Sequence, residues 1–560
     1  MKLDVKARTA AEALVDQLIL QGVRHVFCVP GESYLAVLDA LRDREIQVTV
    51  CRQEGGAAMM AEAVGKATGR PGVCFVTRGP GATNGAAGIH IARQDSTPMI
   101  MFVGQVDRGM RDREAWQEID CRAVFGSMTK WTAEIEDPSR VAEYVSRAFH
   151  TAMNGRPGPV VLALPHDMLG QPTTARDAPP AMAAEPAPGE PELQALQVLL
   201  DDAVAPMLLL GGSRWDENAC AAIRRFSERF ALPVATAYRR LPLFDPLHPN
   251  YAGDLGLGAN PKLVARVKAA DLVLAVGARL DEVTTQGYGL FESPSPKTKL
   301  VHVYPGAEEL GQIYAPQLSI HASPAGFASA LDGLRAPETP AWRGAAQVAH
   351  ADYLAWSETP TPQPGEVNLA EIMIWLRDAL PAEAIICNGA GNYAAWLHRF
   401  FRFRRLASHI APTSASMGYG MPAAVAMQRL YPQRRIVSIN GDGDFLMNGQ
   451  EFATAVQYDL PIVVIVVDNA SYGTIRMHQE REFPGRVVAT DLINPDFAAY
   501  GRAFGGFGLS VARTAEFPAA FEAACASGRP TIIHVKYDAD GITPTQTLSG
   551  IRAAALMAGR

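Results

Sequence analysis

The chain has 560 residues, 48% hydrophobic and 19% charged, with a formal net charge of −7; this is too much for one core and suggests about three domains of ordinary size. The acidic balance supplies no basic face, and no apolar run approaches membrane-spanning length, so neither nucleic acid nor a bilayer is an expected partner. Seven scattered cysteines with no C-x-x-C pair read as small apolar residues of a reducing compartment, and the opening MKLDVKARTAAEALVDQL carries acids rather than a signal-peptide core, so a cytoplasmic protein is expected.

From the start of the chain, apolar runs at 26–29, 47–50, 73–76, 99–103 and 160–164 alternate with helical patterns. Such alternation predicts an α/β domain with a parallel sheet, here over 1–175. Within it Glu54 follows a strand at the start of a helix rich in small residues, Ala57, Ala58, Ala61 and Ala63, which permits close packing. Taken alone, Glu54 is a first-turn carboxylate favoured by the helix dipole. The Pro/Ala-rich QPTTARDAPPAMAAEPAPGEP cannot bury enough apolar surface to fold by itself and reads as a linker. A second α/β unit is expected over 190–345, with strands at 206–210, 272–276 and 300–303. After a second Pro-rich stretch, SETPTPQPGE, a third is expected over 365–560. The fold class is therefore α/β with three parallel-sheet domains. The outer two both place a glycine turn straight after a buried strand, VCFVTRGPGATN and IVSINGDGDF, and are expected to be distant copies of one fold.

The most informative stretch is 436–473. An apolar strand, a turn at Gly441-Asp442-Gly443, an amphipathic segment and a second apolar strand ending on Asp468-Asn469 predict a βαβ unit. Gly441 and Gly443 let backbone N–H groups approach a phosphate, and Asp442 and Asn469 are oxygen ligands for a hard cation such as Mg²⁺.

This segment resembles the signature of thiamine-diphosphate (ThDP) enzymes, and CRQEGGAAMM with TRGPGATN resembles the pyrimidine-binding domain of acetolactate synthases. The resemblance covers essentially the whole chain and implies pyrimidine-binding, central and diphosphate-binding domains, in that order. It implies that Asp442, Asn469 and the carbonyl of Ser471 ligate Mg²⁺, with Gly441, Gly443, Asp444, Tyr472 and Gly473 in the cofactor-binding set. Asp468 stands where the family usually has Asn. Glu54 matches the carboxylate that hydrogen-bonds the pyrimidine ring and promotes deprotonation of the thiazolium carbon. GAGNYAAW (389–396) matches the loop that touches the diphosphate, so Gly391, Asn392 (for Gln) and Tyr393 (for His) join the cofactor set. Met417 of TSASMGYGMPAA matches the apolar residue that props the cofactor in its bent shape. GQV (104–106) and AWQEID (115–120) support the acetolactate-synthase branch, with Trp116 in place of Phe and Gln117 as an active-site amide. The adjacent His-His pair of simple decarboxylases is missing there.

Four positions bear on substrate. Arg279 matches an arginine that binds FAD or the second oxoacid's carboxylate. HVYPGAEEL (302–310) lacks both acids of the HIDIDP found in FAD-binding relatives, so FAD stays open. Glu32, in PGESY where the synthases have Gly-Gly-Ala, falls near the reaction centre beside Ser33 and suits an anionic substrate only as a proton donor with a raised pKa. His478 stands where the synthases carry a Trp that selects the second oxoacid, and His166 where they carry a Lys. The resemblance implies decarboxylation of a 2-oxoacid, pyruvate first, with carboligation to a second carbonyl. A non-ligating decarboxylase, or a carboligase with another donor, is the alternative. It also implies a homodimer or homotetramer with active sites between subunits.

Overall fold

The computed structural model describes residues 8–559; residues 1–7 of the expected first domain lie outside the described residues. Three six-stranded parallel sheets follow one another, one per expected domain. In the first the spatial order is Gln47–Val50, His25–Cys28, Gly72–Thr77, Met99–Gln105, Pro159–Pro165, Trp131–Glu134. In the third it is His409–Ile410, Ile385–Asn388, Ile436–Gly441, Val463–Asp468, Thr531–Lys536, Phe507–Val511. Both run second, first, third, fourth, sixth, fifth in chain order, which bears out the expectation of one fold used twice. The central sheet runs Tyr251–Leu255, Val234–Ala237, Pro206–Leu210, Leu272–Val276, Lys299–Tyr304, Leu318–His321, the doubly wound order of dinucleotide-binding domains. Trp131–Glu134, which is mostly half-buried, and Tyr251–Leu255, broken by Gly253-Asp254, carry too little apolar sequence to announce themselves; Val234–Ala237 and Ile385–Asn388, buried throughout but only four residues long, also escape the sequence reading.

The helix Ala345–Ser357 puts Tyr353 into the same central core as Trp342. The first Pro-rich linker is extended but fixed. Buried Gln17 and Gln21, on the helix Ala10–Leu20 and at its end, clamp it by paired amide bonds: Gln17 Nε2 to the Ala178 carbonyl at 3.0 Å with Ala178 N to Gln17 Oε1 at 2.8 Å, and Gln21 likewise to Pro179 and Ala181. Side-chain amides thus satisfy backbone groups that a linker would otherwise expose to water.

The outer domains meet through the helices Glu54–Thr68 and Gly420–Leu430. Within the first domain the small residues also let Glu54–Thr68 pack against the helix Gly79–Asp95, where a Cβ on Gly88 would sit 2.5 Å from the Ala58 side chain. At this seam buried Asp95 binds Lys66 and accepts from Thr413 Oγ1 (2.8 Å), Thr413 N (2.9 Å) and Ser414 N (3.1 Å). Burial opposes its charge, but the Lys66 and Arg240 charges and these donors outweigh it and hold Asp95 below the ordinary carboxylate range. A depressed folded-state pKa stabilises the fold above the unfolded value, and that stability is lost as pH falls through the folded one. Asp95→Ala leaves buried Lys66 with Glu62 and the Ala411 carbonyl and is expected to cost about 3–5 kcal/mol; calorimetric melting against pH should show a lowered transition whose acid-side slope is shallower than that of the wild type.

Candidate active site

In open α/β sheets, ligands bind where the strand order reverses, outside the carboxyl ends of the strands. In the third domain that point lies between Ile385–Asn388 and Ile436–Gly441. A cavity of about 300 Å³ opens there, lined among others by Gly391, Asn392, Tyr393, Met417, Gly441, Asp442, Gly443, Asp444, Asn469, Ser471, Tyr472 and Gly473. Every cofactor-binding candidate except Glu54 thus lines one cavity. The turn expected at 441–443 is tighter than the sequence suggests, because Gly441 ends its strand and Asp442 already begins the short helix Asp442–Phe445.

Asp442 is buried, and its Oδ2 accepts from Ser471 N (3.2 Å) and Asn494 Nδ2 (2.7 Å). The same Asn494 amide reaches Asp468 Oδ1 at 2.7 Å. Burial, with Asp468 nearby, pushes Asp442 up to about 6. For Asp468 burial acts in the same sense, but hydrogen bonds from His534 and Asn494 prevail and hold it at about 2. Asp468 is therefore the ionised partner of a neighbouring histidine and amide. Asn494, in a loop with no motif of its own, escapes sequence reasoning; an Asn-Pro pair before a helix carries no signal that it bridges two acids.

Asp444 has a different role. Its carboxylate accepts from Tyr393 Oη (2.6 Å), Gly418 N (2.7 Å) and Ala390 N (3.4 Å), and burial pushes it up to about 6. One buried acid thereby joins the loops that carry Asn392, Met417 and Asp442. Arg239, from the central domain, also lines the cavity and donates to the Pro412 (2.5 Å) and Gly389 (2.7 Å) carbonyls. It brings a buried positive charge to a phosphate-sized space and has no counterpart among the sequence-derived candidates.

The donor set fits Mg²⁺: a carboxylate, the Asn469 carboxamide, which makes no hydrogen bond among the described residues, and the Ser471 carbonyl, engaged only by Gly473 N at 2.8 Å. Among the described residues no three His, Cys, Asp or Glu side chains converge on a metal position, as a site with a single protein carboxylate requires.

No residue of the first domain lines this cavity. Its candidates gather at that domain's own switch point, where the loops after His25–Cys28 and Gly72–Thr77 meet. Ser33 Oγ lies 2.9 Å from Thr77 Oγ1, Arg78 Nη1 donates to Glu32 Oε1 at 3.0 Å, and Gly79 N donates to the Gln117 carbonyl at 2.9 Å. Glu54 accepts from Asn84 Nδ2 at 3.0 Å, and its other oxygen borders Gly81, where a Cβ would come within 3.1 Å. Glu451 Oε1 takes the Arg52 and Gln53 N–H groups at 3.0 Å each, fixing the start of the helix that carries Glu54. Glu32, Glu54 and Gln117 are thus brought together.

The remaining candidates stand apart. Arg279 donates to Glu309 Oε2 (3.1 Å) and the Gln94 carbonyl (3.2 Å), outside the cavity lining; Glu309 also binds Arg156 at 2.6 Å. His478 is exposed on the helix Gly473–Glu482, one turn beyond Ile475, the last residue of that helix to line the cavity. His166 pairs with Asp107 at 3.0 Å. At the central switch point the turns after Pro206–Leu210 and Leu272–Val276 approach closely: a Cβ on Gly212 would come within 1.9 Å of the Gly277 carbonyl, and Trp215 Nε1 donates to the Gly211 carbonyl at 2.7 Å.

Comparison with known proteins gives three consecutive family matches: the thiamine pyrophosphate enzyme N-terminal TPP binding domain over 8–124, the central domain over 193–331 and the C-terminal TPP binding domain over 389–535. Among similar proteins, the acetolactate synthase large subunit of Parasynechococcus marenigrum (strain WH8102) is 32% identical, the alignment covering 94% of this chain and 87% of the relative. Acetolactate synthase isozyme 2 large subunit of Escherichia coli (strain K12) is 31% identical, covering 94% and 95%. Acetolactate synthase of Bacillus subtilis (strain 168) is 28% identical, covering 94% and 93%. Three parallel-sheet domains in this order, a GDG-and-Asn cavity in the third and matches along nearly the whole chain lead to one conclusion: the protein belongs to the thiamine pyrophosphate (ThDP) enzyme family.

Proposed function

We propose that the protein is a ThDP- and Mg²⁺-dependent carboligase of the acetolactate-synthase type, decarboxylating a 2-oxoacid, pyruvate first, and joining the remaining fragment to a second carbonyl. The observation that carries this is the division of the site into two halves. The diphosphate and metal donors line the third-domain cavity, while Glu54, Glu32 and Gln117 lie together on the first domain and none of them lines it. A pair of copies, the first domain of one facing the cavity of the other, completes the site, so a homodimer or a dimer of dimers is the working unit.

Asp442, Asn469 and the Ser471 carbonyl would hold Mg²⁺ and through it the diphosphate, with Arg239 adding positive charge behind the Gly389 loop. When bound, ThDP supplies a carbon able to accept the electron pair released with CO₂. Met417 presents an apolar surface inside the cavity, and Tyr393 and Asp444 fix the loop that opens it. Glu54, one oxygen held by Asn84 and the other bordering Gly81, would hold or move a proton at the pyrimidine ring of the bound cofactor. The reading uses no flavin.

The test is product analysis by NMR after incubation with ThDP, Mg²⁺ and a panel of 2-oxoacids. Acetolactate from pyruvate supports the reading; aldehyde alone would replace it with the non-ligating decarboxylase, and no turnover of any acid would reject it. His478 gives a finer expectation. From the rim it offers less apolar area than an indole, so wild type should discriminate weakly between pyruvate and 2-oxobutyrate as acceptors. His478→Trp should gain preference for 2-oxobutyrate by up to about tenfold, within the range set by one methylene. Identical product ratios would place His478 outside the pocket.

A further inference from the structure

The first domain carries a charged group that the proposed chemistry has not used. Arg78 follows Gly72–Thr77 at the domain's switch point, facing the loop that holds Glu32. Its side chain is 13% exposed. Of its five N–H donors only one, on Nη1, has a partner among the described residues, and Nε is buried with none among them. Leaving a buried guanidinium N–H unpaired is costly unless a ligand completes it. The surroundings hold the group in place without satisfying it. Glu32, itself 60% exposed, takes one edge of the fork, and the Trp116 ring covers the guanidinium with its centroid 5.6 Å from the central carbon. Trp116 is 70% exposed, so the cover faces solvent in a single copy. Glu54 borders Gly81, three residues along the same turn.

Resting on the function proposed above, we infer that Arg78 is the substrate-carboxylate site: its free Nε edge receives the carboxylate of the 2-oxoacid while Glu32 holds the other edge and Trp116 roofs the pair. A planar fork with one edge occupied and one unpaired suits a single carboxylate in bidentate geometry. The same arrangement accounts for Glu32. An acid that would repel an anionic substrate is here paired with the guanidinium it positions.

The probe is oxamate, a non-reacting analogue of pyruvate, titrated calorimetrically into the ThDP- and Mg²⁺-loaded protein. Exchange of the thiazolium proton into D₂O is followed in parallel to report that the cofactor site has assembled. Arg78→Met that still exchanges should bind oxamate about tenfold to a hundredfold more weakly, the usual effect of losing a charged hydrogen-bond partner. Should that variant fail to fold, Arg78→Lys, which keeps charge and loses the fork, should still bind several-fold more weakly. Glu32→Gln removes a competing anion and should bind oxamate more tightly. Unchanged affinity in Arg78→Met, or in Arg78→Lys where that stands in, would overturn the inference, as would a loss in Glu32→Gln equal to that in Arg78→Met. If the wild type itself exchanges no thiazolium proton, the proposed function fails first; if it exchanges and the Arg78 variants bind oxamate normally, only the carboxylate site falls.

Discussion

Asp442→Ala is expected to leave a folded protein that no longer retains ThDP. Changing a group that merely supports a metal ligand typically weakens metal binding about 10–100-fold, so loss of the one carboxylate ligand should exceed that. Without the cation, the diphosphate charge must be met by Arg239 and neutral N–H groups alone. Folding should survive, because the wild-type carboxylate is buried and held up at about 6, where its charge contributes little. Asn494, freed at one contact, keeps its bond to Asp468 at 2.7 Å. Calorimetric titration with ThDP and Mg²⁺ checks this, with chelation of Mg²⁺ from wild type expected to release the cofactor to the same extent. Wild-type affinity in the variant would remove Asp442 from the site.

Glu54→Gln should bind cofactor normally yet exchange the thiazolium proton at least about a hundredfold more slowly, the usual scale for losing a positioned acid–base group. The amide is isosteric, can still contact Asn84, and leaves Glu451 with its two N–H donors from Arg52 and Gln53, so the helix start should not move. Unchanged exchange would exclude Glu54 from proton transfer. The two variants also test the assembly together. Because Glu54 lies outside the cavity lined by its own third domain, mixed and exchanged subunits of Glu54→Gln and Asp442→Ala should regain activity through hybrid dimers that hold one site with both residues native. Full activity from a species shown by ultracentrifugation to be monomeric would overturn the two-copy site.

The sequence by itself determined the parts that are local. Strands such as 436–441 and 463–468 are rich in β-branched residues, and glycines and oxygen donors follow them directly. Those patterns lie in neighbouring residues, so Asp442 and Asn469 could be singled out and the three domains counted, whereas Glu54 stood out through the family resemblance. Only the tertiary structure decided what depends on distant chain segments meeting. It placed Asn494 between Asp442 and Asp468, made Asp444 the junction of three loops, brought Arg239 across from the central domain and tied the Pro-rich linker to Gln17 and Gln21. It also paired Glu32 with Arg78 and Arg279 with Glu309. The reason is physical: a lone Asn, Arg or Gln reads as solvated until a partner far along the chain buries it, and burial gives each hydrogen bond and charge its weight.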